Sequence, residues 1–148
     1  MPRSAAQEAA AMTVVLVVDD DPIQQESMAA TLTAAGYEVL RADSATGALR
    51  LALKRPPHVV VMDLILPDFH GSEAARAIRS VAGLTTVPIV AVTTQPRAAR
   101  TIEPATFGAE CILTKPVPHQ ELLEAVTRCL RRSRHGSPVP TETSGDEG

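Results

Sequence analysis

The chain has 148 residues, 45% of them hydrophobic but only 2% aromatic, with a formal net charge of −3. That length suits one domain with a core of Val, Leu, Ile and Ala, and the acidic balance argues against an electrostatic nucleic-acid binder, which would carry a basic face. Residues 1–12 lack the basic and apolar regions of a signal peptide, and no apolar run approaches ~20 residues, so a cytoplasmic protein without a membrane span is expected.

Met1 to Met12 is Ala-rich and is expected to be a flexible leader. Thr13 to Val18 then runs straight into Asp19-Asp20-Asp21. A short β-branched run ending in acids reads as a strand buried on both faces, as in a parallel sheet. Val is a poor helix former, which weighs against a helix. Asp19 and Asp20 therefore emerge at a carboxyl end, where open α/β sheets bind ligands, on opposite sides of the pleat. Carboxylates ~5 Å apart at an effective dielectric of ~20 repel by about 3 kcal/mol. A hard divalent cation with oxygen ligands is the natural counter-charge. Asp21-Pro22 equally reads as an N-cap followed by Pro at the first helical position. From this stretch alone the acidic cap and the ion site both stay open.

Ile23, Met28, Ala29 and Leu32 follow helical spacing from Pro22 to about Ala35, and Gly36 closes that helix. Tyr37 to Ala42 is a second strand whose weaker patterning places it near the sheet edge. Ser44 caps a helix through Lys54 that carries Ala45, Ala48, Leu49, Ala52 and Leu53, stopped by Pro56-Pro57. His58 to Asp63 repeats the opening design, a β-branched run ending in an acid. Leu64 to His70 is a loop ended by Gly71, and Ser72 to Val81 is a third helix with Ala74, Ala75, Ile78 and Val81 inward. Val87 to Val92 is the fourth strand, ending at Thr93-Thr94. Ala98 to Phe107 is helical in part, interrupted by Pro104. Glu110 to Thr114 is a short fifth strand before Lys115-Pro116. His119 to Arg132 is the last helix, with Leu122, Leu123, Val126, Cys129 and Leu130 on one face. Residues 133–148 turn to Ser, Pro, Thr, Gly and acids and read as a disordered tail. Cys111 and Cys129 have no metal or redox spacing, and His58, His70, His119 and His135 have no ligand spacing.

Five strands alternating with five helices imply an α/β domain over 13–132 with a parallel sheet covered on both faces. All carboxyl ends then share one edge, so Asp19, Asp20, Asp63, Thr93 and Lys115 can converge. Three carboxylates, a hydroxyl and an ammonium suit phosphoryl transfer to a carboxylate. Two acids hold a divalent ion, a third attacks phosphorus, and the ammonium and hydroxyl stabilise the transferring oxygens.

Val-Val-Asp-Asp-Asp-Pro at 17–22, Met-Asp-Leu-Ile-Leu-Pro-Asp-Phe-His-Gly at 62–71, Val-Thr-Thr at 92–94 and Leu-Thr-Lys-Pro at 113–116 occur in order at strand ends. With these motifs the chain, over roughly Thr13 to Arg132, resembles the response-regulator receiver domain of two-component signalling. The resemblance implies a flavodoxin-like fold of five βα units. It implies that Asp63 is the phosphoacceptor, that Asp20 binds Mg²⁺ directly and Asp19 largely through water, and that the Ile65 backbone carbonyl completes the protein's share of the ion shell. It further implies that Thr93 contacts the phosphoryl group, that Lys115 pairs with it, and that Lys115-Pro116 is cis. Asp21 is then an N-cap, and His70 an exposed loop residue.

Departures from the family pattern carry expectations of their own. Ile112 stands where many receivers carry an aromatic ring that turns inward on phosphorylation, and cannot make that movement. Pro104 should shorten or kink the fourth helix. Thr94 is larger than the residue often found there and would narrow access to Asp63. Ile65 and Gln95 occupy positions that tune loss of the phosphoryl group, and the apolar Ile65 predicts a longer-lived phosphorylated state.

The expected function is that of a stand-alone receiver, not an enzyme, phosphorylated by a histidine kinase or histidine phosphotransfer protein. The tail is too short to fold an output domain, so output to an unknown downstream protein is by contact, without DNA binding. The protein would be a monomer or a phosphorylation-dependent homodimer. The competing readings are a phosphorylation-independent pseudo-receiver scaffold, an aspartyl-nucleophile phosphatase, and a flavin binder. The phosphatase lacks its usual second acid, since that position holds Ile65. The flavin binder lacks a phosphate-cradling loop after the first strand.

Overall fold

Five parallel strands form one sheet in the order β2-β1-β3-β4-β5: β1 Val14–Val18, β2 Glu38–Ala42, β3 Val59–Asp63, β4 Ile89–Thr93 and β5 Cys111–Thr114. The computed structural model describes residues 13–68, 71–81, 84–94 and 111–134. Four helices lie within them: α1 Pro22–Ala34, α2 Ala45–Lys54, α3 Gly71–Arg79 and α4 His119–Arg134. The helix expected over 98–107, with Pro104, Gln95 and His70, falls outside the described residues, as do the leader 1–12 and the tail from 135.

The strand sequences explain the layering. β1, β3 and β4 are buried at every position, as continuous apolar runs require when both faces are covered. Alternation splits each run between two cores. Leu16, Val18, Val60, Met62, Ile89 and Ala91 pack with Ala48 and Ala52 of α2 and Ala75 and Ile78 of α3. Val15, Val17, Val59, Val61, Val90 and Val92 pack with Met28 and Leu32 of α1 and Leu122 and Val126 of α4. Each fully buried Val, Leu, Ile or Met among them contributes roughly 1.5–3 kcal/mol of transfer free energy, and each Ala less. β2 is the half-buried edge strand that its patterning predicts.

Local chemistry sets the element ends. Asp21 accepts from the amides of Ile23 at 2.9 Å and Gln24 at 3.4 Å and caps α1. Ser44 accepts from Gly47 N at 3.0 Å and caps α2. Gly36 takes φ 100° just after α1, the left-handed conformation that suits glycine. The Lys115-Pro116 bond is cis.

Helix boundaries shift from those expected, and two apolar positions that fit the helical spacing face solvent. Ile23 and Leu53 are 76% and 65% exposed: one lies in the first turn of α1 and the other near the end of α2, where helical spacing alone does not set the inward arc. Gly71 opens α3 instead of ending the loop before it, and that helix stops at Arg79 rather than Val81. The last helix passes the expected boundary at Arg132 and includes Ser133 and Arg134, a shift of two residues of the kind that helix ends commonly show.

The chain moves outward from β1 to β2, then crosses back to β3. The topological switch therefore lies between the carboxyl ends of β1 and β3, where sheets of this order bind ligands.

Candidate phosphoryl and metal site

Pleat parity delivers three charged groups to one side of that switch. Asp19 continues the face of Val15 and Val17, Asp63 that of Val59 and Val61, and Lys115 that of Cys111 and Leu113. Lys115 Nζ hydrogen-bonds Asp63 Oδ2 at 2.7 Å and lies 2.6 Å from Asp19 Oδ2. All three residues are buried. The Lys115 amide donates to the Thr93 carbonyl at 2.7 Å, which ties the start of the lysine turn to the end of β4.

The remaining carboxylate oxygens are held by backbone. Asp19 Oδ1 accepts from Asp21 N at 2.9 Å, and Asp63 Oδ1 accepts from Ile65 N at 3.0 Å. Asp20 is exposed, yet one oxygen from each of Asp19, Asp20 and Asp63 lies within 4.8 Å of the others. Strict alternation would send Asp19 and Asp20 apart. The strand has already ended at Val18, and the turn through Asp21 brings the two together.

Burial raises the Asp19 pKa above its ordinary 3.8, against the opposing pull of Lys115 and the Asp21 amide. Burial by itself would lower the Lys115 pKa, but the carboxylates of Asp19 and Asp63 outweigh it and the net direction is up. Lys115 therefore stays an ammonium at neutral pH.

Asp19 Oδ2 supplies the test of fit for a cation. It is fully buried, and it shares the Lys115 ammonium, 2.6 Å away, with Asp63. Two buried carboxylates that share one ammonium leave negative charge uncompensated, which is costly away from water. One oxygen from each of Asp19, Asp20 and Asp63, all within 4.8 Å of one another, can face a shared point, the hard-oxygen donor set that Mg²⁺ or Ca²⁺ takes.

Thr93 ends β4, is buried, and stands next to β3 in the sheet. Ile65 directs its amide to Asp63 and leaves its side chain 50% exposed at the lip. Thr94 is also exposed. Asp21 serves the helix cap.

Two residues that shape the rim escape sequence reading. Asp68 accepts from Ala45 N and Thr46 N, each at 3.0 Å, and from Thr46 Oγ1 at 2.7 Å, so it pins the loop after β3 to the start of α2. These bonds hold its pKa down at about 2. Gln25 donates to two carbonyls at the ends of β1 and β2. Neither belongs to a spacing rule, because their partners lie far away in the chain.

The family model described as response regulator receiver domain matches residues 15–127. Protein PilH of Pseudomonas aeruginosa is 32% identical over 109 residues, which are 74% of this chain and 90% of PilH. The chain spans less than two thirds of the length of the transcriptional regulators among its relatives, 44% of one and 53% of another. Among solved structures, the chemotaxis response regulator CheY4 of Vibrio cholerae superposes with TM-score 0.73 at 32% identity, covering 80% of this chain and 99% of that one. The receiver domain of the sensor histidine kinase PA1611 from Pseudomonas aeruginosa, solved with a magnesium ion coordinated in its active-site cleft, gives TM-score 0.74 at 28% identity over 80% of this chain and 98% of that one.

Proposed function

The chain belongs to the response regulator receiver family, and from that premise we propose that it accepts a phosphoryl group on Asp63 from a histidine kinase or histidine phosphotransfer protein. The single observation that carries this is the Lys115 ammonium held between Asp19 and Asp63 at 2.6 and 2.7 Å, at the switch point of the sheet. An Asp63 oxygen forms the new O–P bond as the N–P bond of a phosphohistidine donor breaks, and the imidazole leaves with a proton. Lys115 neutralises charge on the transferring oxygens, and the Thr93 hydroxyl donates a hydrogen bond to them. Asp19, Asp20, Asp63 and the Ile65 carbonyl would hold Mg²⁺, which when bound supplies charge neutralisation to the same oxygens. The Asp63–Ile65 contact orients the carboxylate before reaction. The exposed apolar side chain of Ile65 orients no water, which supports slow loss of the phosphoryl group.

Phosphorylation adds negative charge at the rim and biases a contact surface for a downstream protein, in a cytoplasmic monomer or a phosphorylation-dependent homodimer. No DNA contact by this chain is part of the reading. Ile112 is half-buried against the α2 and α3 side of the sheet, so any coupling through β5 works without a turning ring.

Acetyl phosphate with Mg²⁺ provides the test. A mass gain of one phosphoryl group in the wild type, lost in Asp63→Asn, supports the proposal. A chain that binds partners but gains no mass would instead be the phosphorylation-independent scaffold.

A further inference from the structure

Resting on the reading of the acidic cluster as a divalent-cation site, we propose that Gln25 is a positioning residue for it: its carboxamide locks the peptide between Asp19 and Asp20 and so aims the Asp20 carboxylate. Gln25 lies one turn into α1, where its own amide donates to the Asp21 carbonyl at 2.9 Å. A carboxamide offers two donors and one acceptor, and both ends are used here. Nε2 donates to Asp19 O and to Ala42 O, each at 3.0 Å. Oε1 accepts from Arg41 Nε at 2.8 Å. The guanidinium fixes which end points inward. A flipped amide would set its NH₂ against a cationic donor and its oxygen against two carbonyl oxygens.

The consequence for the acids follows from the neighbouring bonds. Asp19 N donates to Ala42 O at 3.0 Å, and Asp21 N donates to Asp19 Oδ1 at 2.9 Å. The group left to orient is the carbonyl of Asp19, which belongs to the peptide that carries Asp20. Gln25 holds that carbonyl. The Asp20 side chain is exposed and takes no hydrogen bond or ion pair from a described residue, so among those residues it is the backbone that aims it. Rotation of the 19–20 peptide swings the Asp20 α-carbon and carries its carboxylate away from Asp19 and Asp63. Because the second carbonyl is Ala42 O, the same amide also staples the end of β2 to the rim.

Gln25→Met keeps the length of the side chain and removes both donors and the acceptor. Mg²⁺ affinity of the full chain is read by amide NMR titration without any phosphoryl donor, beside thermal melting. Affinity should weaken ~10-fold, the usual scale for a group that orients a metal ligand. Arg41→Ala, which frees the amide to turn, should weaken it in the same direction by less. Arg55→Ala breaks the ion pair with Glu38 at the opposite end of β2 and should leave affinity unchanged whatever it does to melting. A folded Gln25→Met chain with wild-type Mg²⁺ affinity overturns the proposal even if its melting temperature drops. If Gln25→Met does not fold, Arg41→Ala decides: wild-type affinity there overturns it equally. A wild-type chain that binds no Mg²⁺ defeats the ion-site reading itself, which separates that failure from this one.

Discussion

Lys115 is the residue on which the rim's charge balance turns. It is the cation between two buried carboxylates, and removing one partner of a buried ion pair leaves the others uncompensated. Lys115→Met should therefore lower stability in metal-free buffer by about 3 kcal/mol at neutral pH, checked by urea unfolding. The sign with pH is defined by the raised Lys115 pKa. A cation whose folded pKa is raised contributes stability below its unfolded pKa of 10.5 and loses it as pH climbs through the higher folded value. The gap between wild type and variant should close in strong alkali. Asp68 behaves in the opposite sense. Its pKa is depressed from 3.8 to about 2 by Thr46 and the amides of Ala45 and Thr46. Its contribution is complete above 3.8 and is lost as pH falls through about 2. Asp68→Ala should speed hydrogen exchange at Ala45 and Thr46 at neutral pH, and its melting deficit relative to wild type should shrink in acid. A deficit that stays constant with pH would show that the carboxylate charge is not what holds the loop.

Among the elements, α1 tests whether Asp21 belongs to the helix or to an ion. Its side chain satisfies two first-turn amides, so Asp21→Ala should cost ~1 kcal/mol of stability while Mg²⁺ affinity, measured by the same NMR titration, stays at the wild-type value. A large loss of affinity would make Asp21 a ligand. The elements were legible in the sequence where a periodic signal and a chemical stop coincide: Val14–Val18 running into acids, Val59–Asp63 doing the same, Ser44 opening α2, Gly36 closing α1. The strand-end acids and Lys115 were legible as a set because a parallel sheet puts every carboxyl end on one edge. What stayed hidden is what depends on rotation or on distant partners. Ile23 and Leu53 fit the helical period yet face water, since period does not reveal which arc the neighbours cover. Asp68 and Gln25 act through partners as much as 23 and 17 positions away, and no local pattern encodes that distance.

At the scale of the whole molecule, the site is a stored electrostatic conflict that a bound cation would resolve. Three carboxylates and one ammonium give the rim a formal net charge of −2. Like charges 4.8 Å apart repel by about 3.5 kcal/mol per pair at an effective dielectric of ~20, and by less at Asp20, whose exposure lets water and salt screen it. Burial, more than the neighbouring charge of Asp63, raises the Asp19 pKa, so metal-free folding loses stability as pH rises from 3.8 through the folded value. A ligand that binds only the folded chain stabilises all of it by mass action, about 2.7 kcal/mol at a free concentration one hundred times Kd. Mg²⁺ should thus raise the midpoint of global unfolding. Asp20→Asn separates the two halves of this argument. Without metal it should be more stable than wild type by up to about 1 kcal/mol at low salt, because one repelling charge is gone. With saturating Mg²⁺ the order should reverse, because the variant gains little. Differential scanning calorimetry with and without Mg²⁺ reads both. A variant that gains as much from Mg²⁺ as wild type would mean that Asp20 does not share the ion, and the acids would then be neighbours on a rim without a common ligand.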